Sequence, residues 1–217
     1  MKTAASGGRR LWPCLLCAAA LSGCVTPQVA INPHANFSSI QRVAVVTFGG
    51  PDGDIAADLL TQQLVAAGAN VIERQQLSAI LSEQGLARSG LLDPRTVKQV
   101  GKILGVDALF VGTVALSQPS QSYVVTNNGK GSWQSVTPVN GGAVVPAGPL
   151  LGVPNSQVFT TDAQASVVAR LIDVETGTIL WSASMSYEGL DVPSAMQGIM
   201  EGFVQSLVPI WPSLIAR

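Results

Sequence analysis

The chain has 217 residues, with 12 lysines and arginines against 13 aspartates and glutamates, for a formal net charge of −1. That balance argues against a nucleic-acid partner, which would call for a basic stripe. One histidine and three cysteines, two of them upstream of residue 20, leave little material for nucleophilic or metal chemistry. Hydrophobic residues make up 47% and charged residues only 12%, which points to a large covered surface such as an oligomer or partner face.

The first element is a leader. Arg9 and Arg10 precede the apolar run from Leu11 to Leu21, and small residues follow. This is the layout of a secretory signal peptide, and the run falls short of the ~20 residues that a spanning helix needs. It closes on Leu21-Ser22-Gly23-Cys24, which resembles the bacterial lipobox. The resemblance implies cleavage before Cys24 and acylation of that cysteine, palmitate included. One acyl chain holds a protein only marginally and several hold it durably. Val25 follows, where aspartate retains lipoproteins of this kind in the inner membrane. The expected location is therefore the outer membrane, with the domain on its periplasmic face. Cys14 and Cys17 leave with the leader, so no disulfide is expected although the compartment permits one.

Residues 24–36, with Pro27 and Pro33 and no periodicity, read as a lipidated tether, and residues 37–217 as one domain. The run from Arg42 to Phe48 suits a strand buried on both faces. Residues 49–53 form a loop. Asp54 is the expected cap of a helix to Ala67, with Ile55, Leu59 and Leu64 on its buried side and Gly68 ending it. Residues 70–74 make a second strand. A helix follows over Leu77, Ile80 and Leu81 and ends near Gly85. Asp93-Pro94 opens another, lined by Val97, Val100, Ile103 and Leu104, with Gly105 as its end. Asp107 to Leu116 is a third apolar strand.

Residues 118–161 break the rhythm and read as an insertion. They hold Pro119, Pro138, Pro146, Pro149 and Pro154 and a single charge, Lys130. Asn128-Gly129 suits a hairpin turn between Tyr123-Val124-Val125 and Trp133. The remainder, through Pro154, reads as a long apolar loop. Tyr123, Trp133, Leu150 and Leu151 are its candidate partner contacts, tryptophan being common at binding hot spots. Ala163 to Val174 returns as a strand, Glu175-Thr176-Gly177 turns, and Thr178 to Tyr187 completes a hairpin. The last helix starts near Ser194. Met196, Ile199, Met200, Phe203, Val204 and Leu207 follow helical spacing. The sum is an α/β fold: a mixed parallel and antiparallel sheet with packed helices and no internal repeat.

The sequence offers no candidate catalytic residue. His34 stands in the tether, where a solvated role is the ordinary one. With the one histidine in the tether and no free cysteine, a Ser-His or Cys-His system and the usual zinc sites are unavailable. Neither a phosphate-binding loop nor a G-x-S-x-G elbow is present. Asp52, Asp54 and Asp58 lack the spacing of a calcium loop and suit a loop and helix cap better. Glu73-Arg74 reads as a surface ion pair, and Trp181 as core. The expectation is a protein that is not an enzyme and has no cofactor and no metal.

Residues 71–77 (VIERQQL), 80–86 (ILSEQGL), 100–114 (VGKILGVDALFVGTV) and 169–181 (ARLIDVETGTILW) resemble the curli-secretion lipoprotein family, CsgG. The resemblance implies a fold like the N-terminal domain of TolB, which recurs in other envelope lipoproteins, activators of peptidoglycan synthases among them. It implies a non-enzymatic assembly or interaction module with protein partners or a homo-oligomeric state. It also names two alternatives, a secretion-pore subunit and a peptidoglycan-synthase activator. A curli-type pore needs two membrane hairpins per subunit. Residues 118–161 have the length for one, but their prolines would remove ladder donors where no water replaces them. Residues 188–193 leave no room for the other.

Overall fold

The computed structural model describes residues 26–72, 98, 101–102, 105–127, 133–139 and 156–214. The helix expected over residues 77–85, the start of the one at Asp93-Pro94, the pair Glu73-Arg74 and the turn at Asn128-Gly129 lie outside them. A six-stranded sheet carries the fold, in the order β1-β9-β8-β4-β2-β3. Its strands are β1 (Gln28–Ile31), β2 (Arg42–Val45), β3 (Asn70–Ile72), β4 (Ala108–Gln118), β8 (Ala163–Asp173) and β9 (Ile179–Gly189). Strand β2 runs parallel to β3 and β4, and every other neighbouring pair is antiparallel. This is the mixed α/β sheet that the alternation of elements calls for.

Burial explains the two kinds of strand. Val43, Val45 and Phe110 point into the main core, while Ala44, Val46, Leu109 and Val111 point into a smaller cluster on the other face. Strands β2 and β4 are therefore apolar at successive positions, as doubly covered strands must be. Gly101 sits against that second face, where an added Cβ would stand 2.1 Å from Val174 Cγ1. Strands β8 and β9 alternate instead: Ala165, Val167, Ala169 and Leu171 are buried, and Gln164, Ser166, Val168 and Arg170 are partly or fully exposed.

Among the described residues, two helices cover the main face, α1 (Gly53–Ala66) and α2 (Val192–Leu207). The whole expected stripe of α2 is buried, from Met196 to Leu207. Phe203 meets Trp181 edge-on at 5.7 Å, and Trp181 meets Phe110 at 6.2 Å. Both buried indoles find acceptors, Trp181 Nε1 at Ser206 Oγ (3.2 Å) and Trp211 Nε1 at the Ile40 carbonyl (3.3 Å). A buried N–H without a partner would cost more than these bonds contribute.

Four expectations need correction. Residues 24–36 are not wholly a tether: Gln28–Ile31 is a strand paired antiparallel with β9, from Gln28↔Ser184 to Ile31↔Trp181. The cap of α1 is Asp52, with φ 53°, and its carboxylate accepts from Ser117 Oγ at 2.5 Å rather than from the helix. The buried side of α1 is Gly53, Ala56, Ala57, Leu60 and Leu64, while Ile55 is exposed. Finally, the insertion, expected to hold one hairpin and a loop through Pro154, carries a further strand beyond that loop, Ser156–Thr161, described next. The chain end of α1 is as expected, with Gly68 at φ +91°.

Candidate functional site

At Gln118 the chain leaves β4 for a second, three-stranded sheet made of β5 (Gln121–Asn127), β6 (Trp133–Val139) and β7 (Ser156–Thr161). The order is β6-β5-β7, all antiparallel. The expected hairpin is there, with Asn127 opposite Trp133 and Tyr123 opposite Pro138. Pro138 lies on an edge strand, where a missing ladder donor is tolerated. Strand β7, from Gln121↔Thr161 to Thr126↔Ser156, is the element that sequence patterning missed. Its first rungs are reinforced by side chains: the Gln121 N–H donates to Thr161 Oγ1 (3.1 Å), and the Ser122 and Thr160 hydroxyls pair at 3.1 Å.

The same end of the main sheet carries an exposed apolar group. Leu116, Gln164, Ala165, Ser186, Tyr187 and Glu188 line an open cavity of about 430 Å³. Leu116 is 40% exposed and Tyr187 37%. Leu190, in the turn from β9 to α2, is 85% exposed, far above any other large apolar side chain among the described residues. Its position is fixed from both sides. Asp191 caps α2, its carboxylate accepting from the Ser194 N–H at 2.8 Å and from the Ser194 hydroxyl. The Ser194 side-chain bond, then its backbone bond, hold the Asp191 carboxyl below its ordinary value. On the other side, the Tyr187 ring lies against Gly198, where a Cβ would stand 2.9 Å from Cε1.

The polar groups here are engaged with one another. Gln164 Nε2 donates to Glu188 Oε1 at 3.0 Å, and Ser186 Oγ donates to Ser166 Oγ at 2.9 Å. A second cavity of about 410 Å³ lies between Ser39, Lys98, Lys102, Asp107, Asp173 and Glu175. Its aspartates have structural tasks: Asp107 accepts the N–H groups of Gln41 and Arg42, and Asp173 the N–H and the hydroxyl of Thr176. Among the described residues, no three of His, Cys, Asp and Glu gather as a metal site requires.

Of the candidate residues, Tyr123 is half-buried in β5, and its hydroxyl donates to Gln121 Oε1. Trp133 opens β6. Cys24, Leu150 and Leu151 lie outside the described residues. His34 is exposed, and Asn32 Oδ1 accepts its backbone N–H at 2.9 Å. Sequence reading passed over Leu190; the one signal was a leucine between Gly189 and the helix cap Asp191.

Comparison with known proteins assigns this arrangement. The family described as "Curli production assembly/transport component CsgG" matches residues 24–201. The chain belongs to the CsgG family. The match begins at Cys24 and so takes in β1, the main sheet, the insertion and most of α2. Among curated proteins, no sequence matches. Solved structures with a similar fold include the PelC dodecamer from Paraburkholderia phytofirmans, at 15% identity, 88% of this chain, 99% of that one and a TM-score of 0.43. Lipoprotein GNA1162 from Neisseria meningitidis is similar at 19% identity, 77% of this chain, 95% of that one and a TM-score of 0.42. The LpoB C-terminal domain from Escherichia coli is similar at 15% identity, 71% of this chain, 88% of that one and a TM-score of 0.41.

Proposed function

We propose that this CsgG-family protein is a non-enzymatic lipoprotein of the outer membrane, anchored by acyl chains on Cys24. Its domain faces the periplasm and works as an assembly module of an envelope or secretion system. The β5-β6-β7 sheet is its contact with a protein partner or with further copies of the chain. One observation carries this reading: the main sheet is complete without the insertion. Strand β4 pairs with β8 up to Gln118↔Gln164, so residues 119–161 add a sheet that the core does not need. Natural chains manage exposed sheet edges, and both outer strands of this small sheet present edges suited to strand addition.

The pore alternative is weaker. A membrane strand takes ~9–11 residues, and β5, β6 and β7 have 7, 7 and 6. Strand β9 ends at Gly189 and α2 begins at Val192, which leaves no length for a second hairpin. The test replaces residues 119–161 with a short Asn-Gly turn in the acylated protein. The expected result is a folded, membrane-bound protein that loses its oligomeric state and its cross-links to envelope proteins. Retained assembly would refute the role given to the insertion.

A further inference from the structure

The chain enters the fold at a fixed point. Pro27 is half-buried on α2, where a Cβ on Gly202 would lie 3.5 Å from Pro27 Cδ and 3.1 Å from Met185 Sδ. Strand β1 then pairs with β9 in one register, Gln28 opposite Ser184. Followed backwards from Gln28, the chain heads along β9 towards Tyr187, Gly189 and Leu190. Cys24 lies three residue steps upstream of Pro27, a reach of about 10–11 Å even when fully extended. The opposite end of the sheet, at Ile179, lies six strand positions beyond Met185, about 20 Å away. A lipid on Cys24 can therefore hold only one end of the sheet at the membrane.

That end carries Leu116, Tyr187 and the 85% exposed Leu190. We infer that it rests on the bilayer that holds the lipid on Cys24, with Leu190 entering the headgroup–acyl boundary. The inference rests on the lipoprotein reading above and adds a second, non-covalent contact to it. Leu190 projects from a turn that Asp191 and Pro193 hold in place at the start of α2, so no ordering cost is paid on contact. Tethering through three residues keeps the turn at high local concentration of lipid, so a weak contact suffices. Asp162, Glu188 and Asp191 are exposed around it. These carboxylates oppose an anionic surface and suit a zwitterionic one.

The mature protein offers a clean probe. Leader removal takes Cys14 and Cys17, and acylation consumes Cys24, so Leu190→Cys introduces a single free thiol. The acylated variant, labelled there with an environment-sensitive fluorophore, is placed in vesicles of phosphatidylethanolamine and phosphatidylcholine. The expected result is a blue shift and quenching by nitroxide lipids at position 190. Ile179→Cys, 45% exposed at the far end in the parent chain, should show neither. No shift at 190, or equal effects at both positions, overturns the inference. A blue shift without lipid quenching also overturns it and assigns Leu190 to a contact with a second copy. Mass spectrometry of the N-terminal peptide from the same sample reads the acyl chains separately. Their absence refutes the anchor, and the ground for this docking with it.

Discussion

Phe203→Ala tests the packing of α2 on the sheet. Phe203 is fully buried, and its ring meets Trp181 edge-on at 5.7 Å. Truncating a buried phenylalanine costs about 3–5 kcal/mol, from lost transfer energy and the cavity left behind. The edge-on aromatic pair accounts for roughly 0.5–1.5 kcal/mol beyond area alone. Collapse into the space is limited, because Met196, Ile199, Met200 and Leu207 around it are themselves buried on one helix face. The assay is urea denaturation of the mature chain followed by circular dichroism. With a slope of roughly 2 kcal/mol per molar urea, the midpoint should fall by about 1.5–2.5 M. Val65→Ala, on α1 and 56% exposed, is the control and should shift stability by less than about 0.5 kcal/mol. A Phe203→Ala midpoint no lower than that of the control would show that α2 does not seal the core. The exposed face of the molecule would then have to be reassigned.

Cys24→Ser should leave uncleaved precursor or a protein released from membranes, as read by fractionation; wild-type membrane binding would refute the anchor. Asp191→Asn keeps a cap but removes the titration. Because the folded carboxyl titrates below its ordinary value, its stabilisation is present above the unfolded pKa and fades as pH falls through the folded one. Acid unfolding of Asp191→Asn should lack that component, and an unchanged acid limb would refute it. Trp181→Phe removes the indole donor to Ser206 and should cost about 1 kcal/mol in thermal or urea unfolding. Gly198→Val should displace the Tyr187 ring and raise its accessibility to fluorescence quenchers, with the fold retained.

The legible parts of the sequence were those whose burial shows in local composition. Strand β2 and the first half of β4 are covered on both faces, and residues 43–46 and 108–111 are apolar at every step. Helix α2 announced itself by its stripe from Met196 to Leu207. Strand β1 gave no such signal. All four of its residues are exposed, and it becomes a strand only because β9, some 150 positions later, supplies the ladder. Strand β7 follows Pro154 and depends on β5 in the same way. On α1, Ile55 and Leu59 drew attention by size, but the close approach to the sheet is made by Ala56 and Ala57. The candidate contact surface was half legible: Tyr123 and Trp133 mark the inserted hairpin, whereas a lone Leu190 reads from sequence as an ordinary exposed residue.

The apolar composition takes on a different meaning once the sheet is known. A chain with 47% hydrophobic residues invites the idea of a broad sticky face. Much of that content has an internal destination. Strand β2 and the first half of β4 are doubly covered, and α2 buries seven residues. Among the described residues, the second face of the antiparallel half carries Ser166, Arg170, Ser182, Ser184 and Ser186, with Val168 its one half-buried apolar group on β8. Overall hydrophobicity is therefore no argument for an oligomer. The argument for contact is local. It lies where the chain departs from a self-sufficient sheet, at the insertion after Gln118, and where it spends a leucine on solvent, at residue 190. Both lie at the end of the sheet towards which the chain upstream of β1 points, so the proposed anchor and the proposed contact surface fall on one side of the molecule.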